Sequence, residues 1–200
     1  MMSLQTLAQL VPKIQRRMPG PIAAMQGWAH GQDRLYASHW LSAVRRHEVD
    51  RVLAACRTPR DYFDFAARFC PAHQIPFEIL AFLELAASIE PRTVVEIGTA
   101  EGGTNFLLGA ALPTVTLKIA VDLFVRNTRL LQAFGRTACR QLFINGSSYD
   151  LQTVRKVQGR LETWPIDVLF IDGDRRSDRL SRHRARLQDP PWPRHRAVGW

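Results

Sequence analysis

The stretch VVEIGTAEGGT, Val94 to Thr104, constrains this chain more than any other. An apolar run carrying one acid, Glu96, leads into a loop with glycines at Gly98, Gly102 and Gly103, and the apolar segment NFLLGAAL follows closely. A strand must stop, turn sharply and restart as a helix within a few residues. That requires backbone conformations which glycine adopts without steric cost. A strand, glycine turn and helix start of this kind turns backbone N–H groups toward part of a nucleotide.

The flanking sequence says what sheet the strand belongs to. From Thr93 onward, short β-rich runs alternate with segments long enough for helices, the pattern of parallel strands joined by crossover helices. Strands are predicted at TVVEI, TLKIAVD, RQLFING and IDVLFID, with helices GTNFLLGAAL, RNTRLLQAFGR and DLQTVRKVQGRLE between them. VLFI is apolar at every position, so its strand belongs in a sheet covered on both faces. The predicted fold class is α/β, a doubly wound parallel sheet. Before about residue 70 no strand pattern is found. LQTLAQLVPKIQRRM and DRLYASHWLSAVRRHEVDRVLAACR space apolar residues at helical intervals, with a break expected around PGP, Pro19 to Pro21. PRDYFDFAARF reads as a further helix. It leads to QIPFEILAFLELAASI, whose Ile75, Ile79, Phe82, Leu83 and Ala86 form a core-facing stripe. Methionines and aromatic residues in this N-terminal third read as core filling. The chain divides into a helical extension over 1–70, a ligand-binding domain over 71–174 and a divergent tail over 175–200.

Composition narrows the function classes. With 200 residues and 46% hydrophobic content the chain can bury a real core. No run approaches the roughly 18 apolar residues of a membrane span, and no leader pattern opens the sequence, so a cytoplasmic location is expected. Cys56, Cys70 and Cys139 form no CxxC pair, which argues against both a disulfide framework and a zinc site. The six histidines form no metal-binding pattern, and His39 with His47 reads as a surface pair. The net charge is +9, but the tail alone holds eight arginines against Asp178 and Asp189, so six of the nine excess charges sit there. The remaining chain has an unremarkable balance, and nucleic acid is not the expected partner.

Three ligands share the glycine-loop geometry. A P-loop needs a lysine followed by Ser or Thr to reach phosphates and magnesium, and the loop has no lysine. A dinucleotide fingerprint needs GxGxxG, whereas this loop reads GTAEGG with Glu101 where a pyrophosphate would sit. An acidic loop is better suited to a nucleoside that carries a positive ammonium and sulfonium, which describes S-adenosylmethionine. VVEIGTAEGG also resembles the first motif of class I S-adenosylmethionine-dependent methyltransferases, an acid followed by GxxxG after the first strand. Further landmarks follow in order at the ends of the next strands: IAVDL, LFINGSSYD and IDVLFIDGD. With QIPFEI upstream, the whole resembles the subgroup related to cephalosporin hydroxylase, over roughly Tyr62 to Asp174.

The resemblance implies a Rossmann-like sheet and a set of roles. Glu96, Gly98, Thr99, Ala100, Glu101, Gly102 and Gly103 would form the cofactor loop. Asp122, with Leu123 beside it, would take both ribose hydroxyls. Gly146, Ser147 and Ser148 would lie beside adenine, and Asp172 and Asp174 beside the methionine moiety and the reaction centre. From the residues alone, Glu96 is either a ligand anchor or a carboxylate organising the loop amides. Ser147 and Ser148 equally suit a turn capping the helix that begins near Asp150. Asp172 is the candidate catalytic acid and, as in relatives that use a divalent cation such as magnesium, a candidate metal ligand. The acceptor implied is a small molecule or a sugar-like compound.

The chain departs from that pattern after IDGD. Arg175 stands where the subgroup has a histidine, and RRSDRLSRHRARLQDPPWPRHRAVGW holds no β-rich run. A complete fold of this class orders its strands 3-2-1-4-5-7-6, and only the first four can be placed. The sheet is therefore expected to be incomplete, with its fourth strand at an edge that invites a homo-oligomer, poor solubility or cover by the tail. The tail reads as a shift of frame in a GC-rich gene, and its rival reading is a basic nucleic-acid-binding segment with Trp192 and Trp200 as stacking residues. A noncatalytic remnant or binding module is the alternative to an enzyme.

Overall fold

A computed structural model of the protein describes residues 19–70, 72–161 and 165–172. Among the described residues four helices precede the sheet: α1 (Pro19–Trp40), α2 (Ala43–Ala55), α3 (Pro59–Phe69) and α4 (Pro76–Ala87). The sheet alternates with further helices as β1 (Thr93–Ile97), α5 (Gly103–Ala110), β2 (Leu117–Asp122), α6 (Thr128–Phe134), β3 (Arg140–Asn145), α7 (Leu151–Leu161) and β4 (Val168–Ile171). The strands are parallel in the order β3-β2-β1-β4, and among the described residues β4 borders only β1.

Local chemistry explains several boundaries. Thr58 begins α3 with a capping box: its hydroxyl accepts from the Asp61 N–H while the Asp61 carboxylate accepts from the Thr58 N–H at 2.8 Å. Pro59 and Pro76 occupy first-turn positions, where a missing N–H leaves no bond unmade. The same reasoning corrects the expected break at Pro19 to Pro21, which is instead the first described turn of α1. The chain breaks at Leu41 and Ser42, between α1 and α2. Ile75 also departs from expectation. It precedes α4 in extended backbone and is 59% exposed, because the 3.6-residue period that buries Ile79, Phe82, Leu83 and Ala86 begins only at Pro76.

Alternation along the strands sends side chains into two apolar clusters. Val95, Ile97, Ile119, Val121 and Leu169 pack with Val154, Val157 and Leu161 of α7 on one face. Val94 and Val168 pack on the other with α3, α4, α5 and α6. That second cluster also takes in Ala37 of α1, Val49 of α2 and Cys56, so the N-terminal helices and the sheet share one core. Phe65 of α3 is the joint: its ring lies 4.8 Å from Phe69, 5.1 Å from Phe106 of α5 and 5.3 Å from Phe134 of α6. The three cysteines are buried and free.

The tail over 175–200, with Asp174, Trp192 and Trp200, lies outside the described residues, as does LQTLAQLVPKIQRRM. Among the described residues no helix is long and apolar enough to cross a membrane.

Phe65→Ala is expected to cost about 3–5 kcal/mol, the usual cost of emptying a buried aromatic site, and to leave one cooperative urea transition. A separate early transition for the helices would contradict a shared core.

Candidate functional site at the strand ends

Parallel strands open all their C-terminal ends on one edge, and the order 3-2-1-4 reverses direction between β1 and β4. Ligands bind in such sheets at that switch point. Backbone bonds bring the following segments down onto the edge: Gly98 N–H donates to Val121 O, Gly146 N–H to Asp122 O and Asp172 N–H to Ile97 O, each at 2.8 Å.

The glycine loop carries three left-handed residues, Gly98 (φ 90°), Ala100 (φ 47°) and Gly102 (φ 92°). At Gly102 a Cβ atom would come within 2.6 Å of Leu131 Cδ1, so space and dihedral both require glycine. Ala100 has no such licence, and a non-glycine residue there costs about 1–3 kcal/mol. It is held from two sides: its N–H donates to Asp122 Oδ2 at 2.9 Å, and its carbonyl accepts from the Arg126 N–H at 3.2 Å. The acid that organises a loop amide is thus Asp122 at the end of β2. Its other oxygen accepts a long bond from the Phe124 N–H at 3.4 Å, and the Leu123 N–H also lies close to the carboxylate. A carboxylate has about four acceptor sites, so Asp122 keeps capacity for further donors. Burial pushes its pKa up, partly offset by N–H groups of Ala100, Phe124 and Leu123.

Glu96 is fully buried on the α5 face of the sheet. Burial raises its pKa to about 7, Asn105, Thr99 and Lys118 beside it favour the charge, and Asp172 opposes it. The Thr99 hydroxyl and Asn105 amide are close enough to favour charge, yet no hydrogen bond to Glu96 of acceptable geometry forms among the described residues. Lys118, also buried, donates its Nζ to Asn105 O at 2.7 Å and is pushed down to about 8 by its burial. Several polar atoms under the loop therefore lack partners: both Glu96 oxygens, Thr99 Oγ1 and the Asn105 amide.

Glu101 points elsewhere. Its carboxylate meets Arg126 at 3.1 Å and His73 at 2.8 Å, and Arg126 in turn pairs with Asp33 of α1 at 2.9 Å. Asp33 also accepts the Asn127 N–H, and the Asn127 side chain donates to Glu101 O at 3.0 Å. Gly103 opens α5 and is buried. Leu123 is half-buried, and its carbonyl accepts from Gln26 of α1 at 3.2 Å.

After β3, Gly146 leaves no room for a side chain, since a Cβ would lie 2.3 Å from Thr153 Oγ1. Ser147 shapes the turn into α7: its hydroxyl accepts from Tyr149 N–H and its carbonyl from Asp150 N–H, while Asp150 itself accepts the Gln152 N–H. Ser148 lies beside it, half-buried. Asp172 is half-buried at the end of β4, and the Gln74 side-chain amide donates to its Oδ2. Among the described residues no three His, Cys, Asp or Glu side chains come together as a metal site, and no step is assigned to a cation.

The crevice thus gathers Glu96, Asp122 and Asp172 around the glycine loop. Sequence reasoning missed Asp33, His73, Gln74, Lys118, Arg126 and Asn127. Two left a signal: Asp33 sits at helical spacing between Ala29 and Ala37 in a buried stripe, and Lys118 interrupts the apolar run TLKIAVD.

No protein-family model and no curated protein matches the sequence. Solved structures do. The O-methyltransferase from Bacillus cereus in complex with SAH is 20% identical, with a TM-score of 0.52 over 82% of this chain and 74% of that one. The cofactor-bound Rv0187 from MTB is 22% identical, with a TM-score of 0.47 over 82% of this chain and 69% of that one. At these identities the likeness is one of fold. The protein has a Rossmann-like fold of the class I methyltransferase type, with helices packed ahead of its four-stranded sheet.

Burial of Glu96 has a pH consequence. The folded state keeps a proton up to about pH 7 that the unfolded chain releases near its ordinary 4.5, so stability falls as pH rises through that window. The loss is on the order of 3 kcal/mol. Lys118, ordinarily at 10.5 and here near 8, gives the opposite slope: stability rises with pH between those values. Urea titrations from pH 4 to 8 should show the fall in the wild type and a clearly smaller one in Glu96→Gln, where the raised Asp122 carboxyl still contributes. An identical slope in both would contradict the assignment.

Proposed function

We propose that the protein is an S-adenosylmethionine-dependent methyltransferase acting on a small molecule or a sugar-like acceptor. One observation carries the reading: Asp122, at the end of β2, bonds the strained glycine loop and retains acceptor capacity toward the crevice. A ribose diol supplies the donors such a carboxylate takes. The strand-end edge also carries Asp172 at the end of β4, beside the β1–β4 switch point, and an acid there suits a ligand bearing an ammonium and a sulfonium and disfavours a pyrophosphate. The solved structure in complex with SAH lends support through its fold.

When bound, the cofactor supplies a methyl group on a sulfonium: the acceptor oxygen–carbon bond forms as the carbon–sulfur bond breaks, and the electron pair returns to sulfur. The chain's own residues align and desolvate. Alignment contributes as much as roughly 7–11 kcal/mol when geometry is held, and the rigid loop between Asp122 and Arg126 is suited to holding it. In this reading Asp172, which accepts a hydrogen bond from the Gln74 amide, takes the proton of an acceptor hydroxyl.

Titration calorimetry tests the reading. S-adenosylmethionine and S-adenosylhomocysteine are expected to bind at about micromolar Kd, and Asp122→Asn to weaken both at least about tenfold. Asparagine still accepts the Ala100 N–H, so the unfolding midpoint should move little. Absence of binding by the folded wild type, or tighter binding of NADH, would overturn the proposal. Binding without turnover on any hydroxyl acceptor would make the chain a cofactor-binding module.

A further inference from the structure

Where α1 meets the start of α6, joined to the glycine loop through Arg126 and Asn127, an open cavity of about 190 Å³ is lined by His30, Asp33, Arg34, Asn127, Thr128 and Arg129. Its charge is unbalanced. The single acid, Asp33, is buried and already engaged, with Oδ1 on the Arg126 guanidinium at 2.9 Å and Oδ2 on the Asn127 N–H at 2.9 Å. Arg34 and Arg129 have no ion-pair partner among the described residues, and neither has His30. His30 and Arg34 stand one helical turn apart on α1, so both face the same side, and Arg129 comes to them from α6. Two guanidinium groups gathered on one polar hollow, with the His30 ring and the Thr128 hydroxyl among them, make a positive potential that an anion would relieve.

We propose that this cavity is a binding site for a small multivalent oxyanion of the phosphate type, either free or as the phosphoryl group of a small metabolite. Size sets the class of occupant. Pockets for drug-sized ligands run to roughly 300–1,000 Å³, so this hollow takes a charged group and leaves any organic remainder outside. Guanidinium groups give the match to phosphate, since their planar forks donate two parallel hydrogen bonds to its oxygens. The site shares no residue with the proposed cofactor contacts, and it stands whether or not those contacts hold.

Titration calorimetry of the full chain with pyrophosphate, inorganic phosphate and a sugar phosphate, at low and high chloride, tests it. Pyrophosphate is expected to bind with a Kd near or below about 1 mM and to weaken about tenfold in the Arg34→Gln, Arg129→Gln double variant, and to weaken with salt. The double variant should keep the wild-type thermal midpoint, because both side chains are exposed. A sugar phosphate bound more tightly than phosphate supports the site and identifies a phosphorylated metabolite as its occupant; equal affinities support it as a free-anion site. Three results would overturn the proposal: equal pyrophosphate affinity in wild type and variant, no binding to the folded wild type at about 10 mM, or binding of an RNA oligonucleotide without any binding of the small anions.

Discussion

The hydrogen bond from the Ala100 N–H to Asp122 is the interaction on which the site depends. A loop that turns from β1 into α5 through three left-handed residues is uphill in backbone energy, most of all at the residue that is not glycine. Asp122 comes from the neighbouring strand, and β1 and β2 are locked in parallel register from Thr93 opposite Leu117 to Ile97 opposite Val121. Sheet formation therefore places the carboxylate where the strained amide needs it. The same carboxylate stands at the C-terminal end of β2, on the strand-end edge where the proposed ligand would sit.

Around that bond the N-terminal helices act as part of the site. Arg126 joins Asp33 of α1 to Glu101 of the loop, Asn127 adds bonds to both, and Gln26 reaches Leu123. Asp33 and Arg126 are mostly shielded from solvent, which makes their pairing less sensitive to salt than a surface bridge. With Phe65 packed between Phe69, Phe106 and Phe134, the described helices contribute both core and loop support. An acidic loop residue that looked like a ligand contact is, in the folded chain, a tie between elements.

Much of the fold was legible because parallel strands buried on both faces are written in nearly continuous apolar runs. TVVEI is β1 residue for residue, and RQLFING overshoots β3 only by its last glycine. IDVLFID overshoots β4 at both ends, since the boundary is set by pairing with β1 rather than by composition. The glycine loop was legible because its conformation demands particular residues. What periodicity does not encode is which distant side chains meet. Arg126 finds Asp33 93 residues away, and Gln74 finds Asp172 98 residues away. Glu96 and Asp122 are both strand acids, and only the three-dimensional register shows which one bonds the loop amide and which one is sealed beneath it.

The central claim is that the crevice between β1 and β4 holds S-adenosylmethionine through the glycine loop. Hydrogen-exchange mass spectrometry with and without saturating S-adenosylhomocysteine addresses it most directly, because it reports where backbone amides become protected. Protection is expected to concentrate in segments 96–105, 121–126 and 145–149. Protection confined to other segments, or none at ligand saturation, would contradict it.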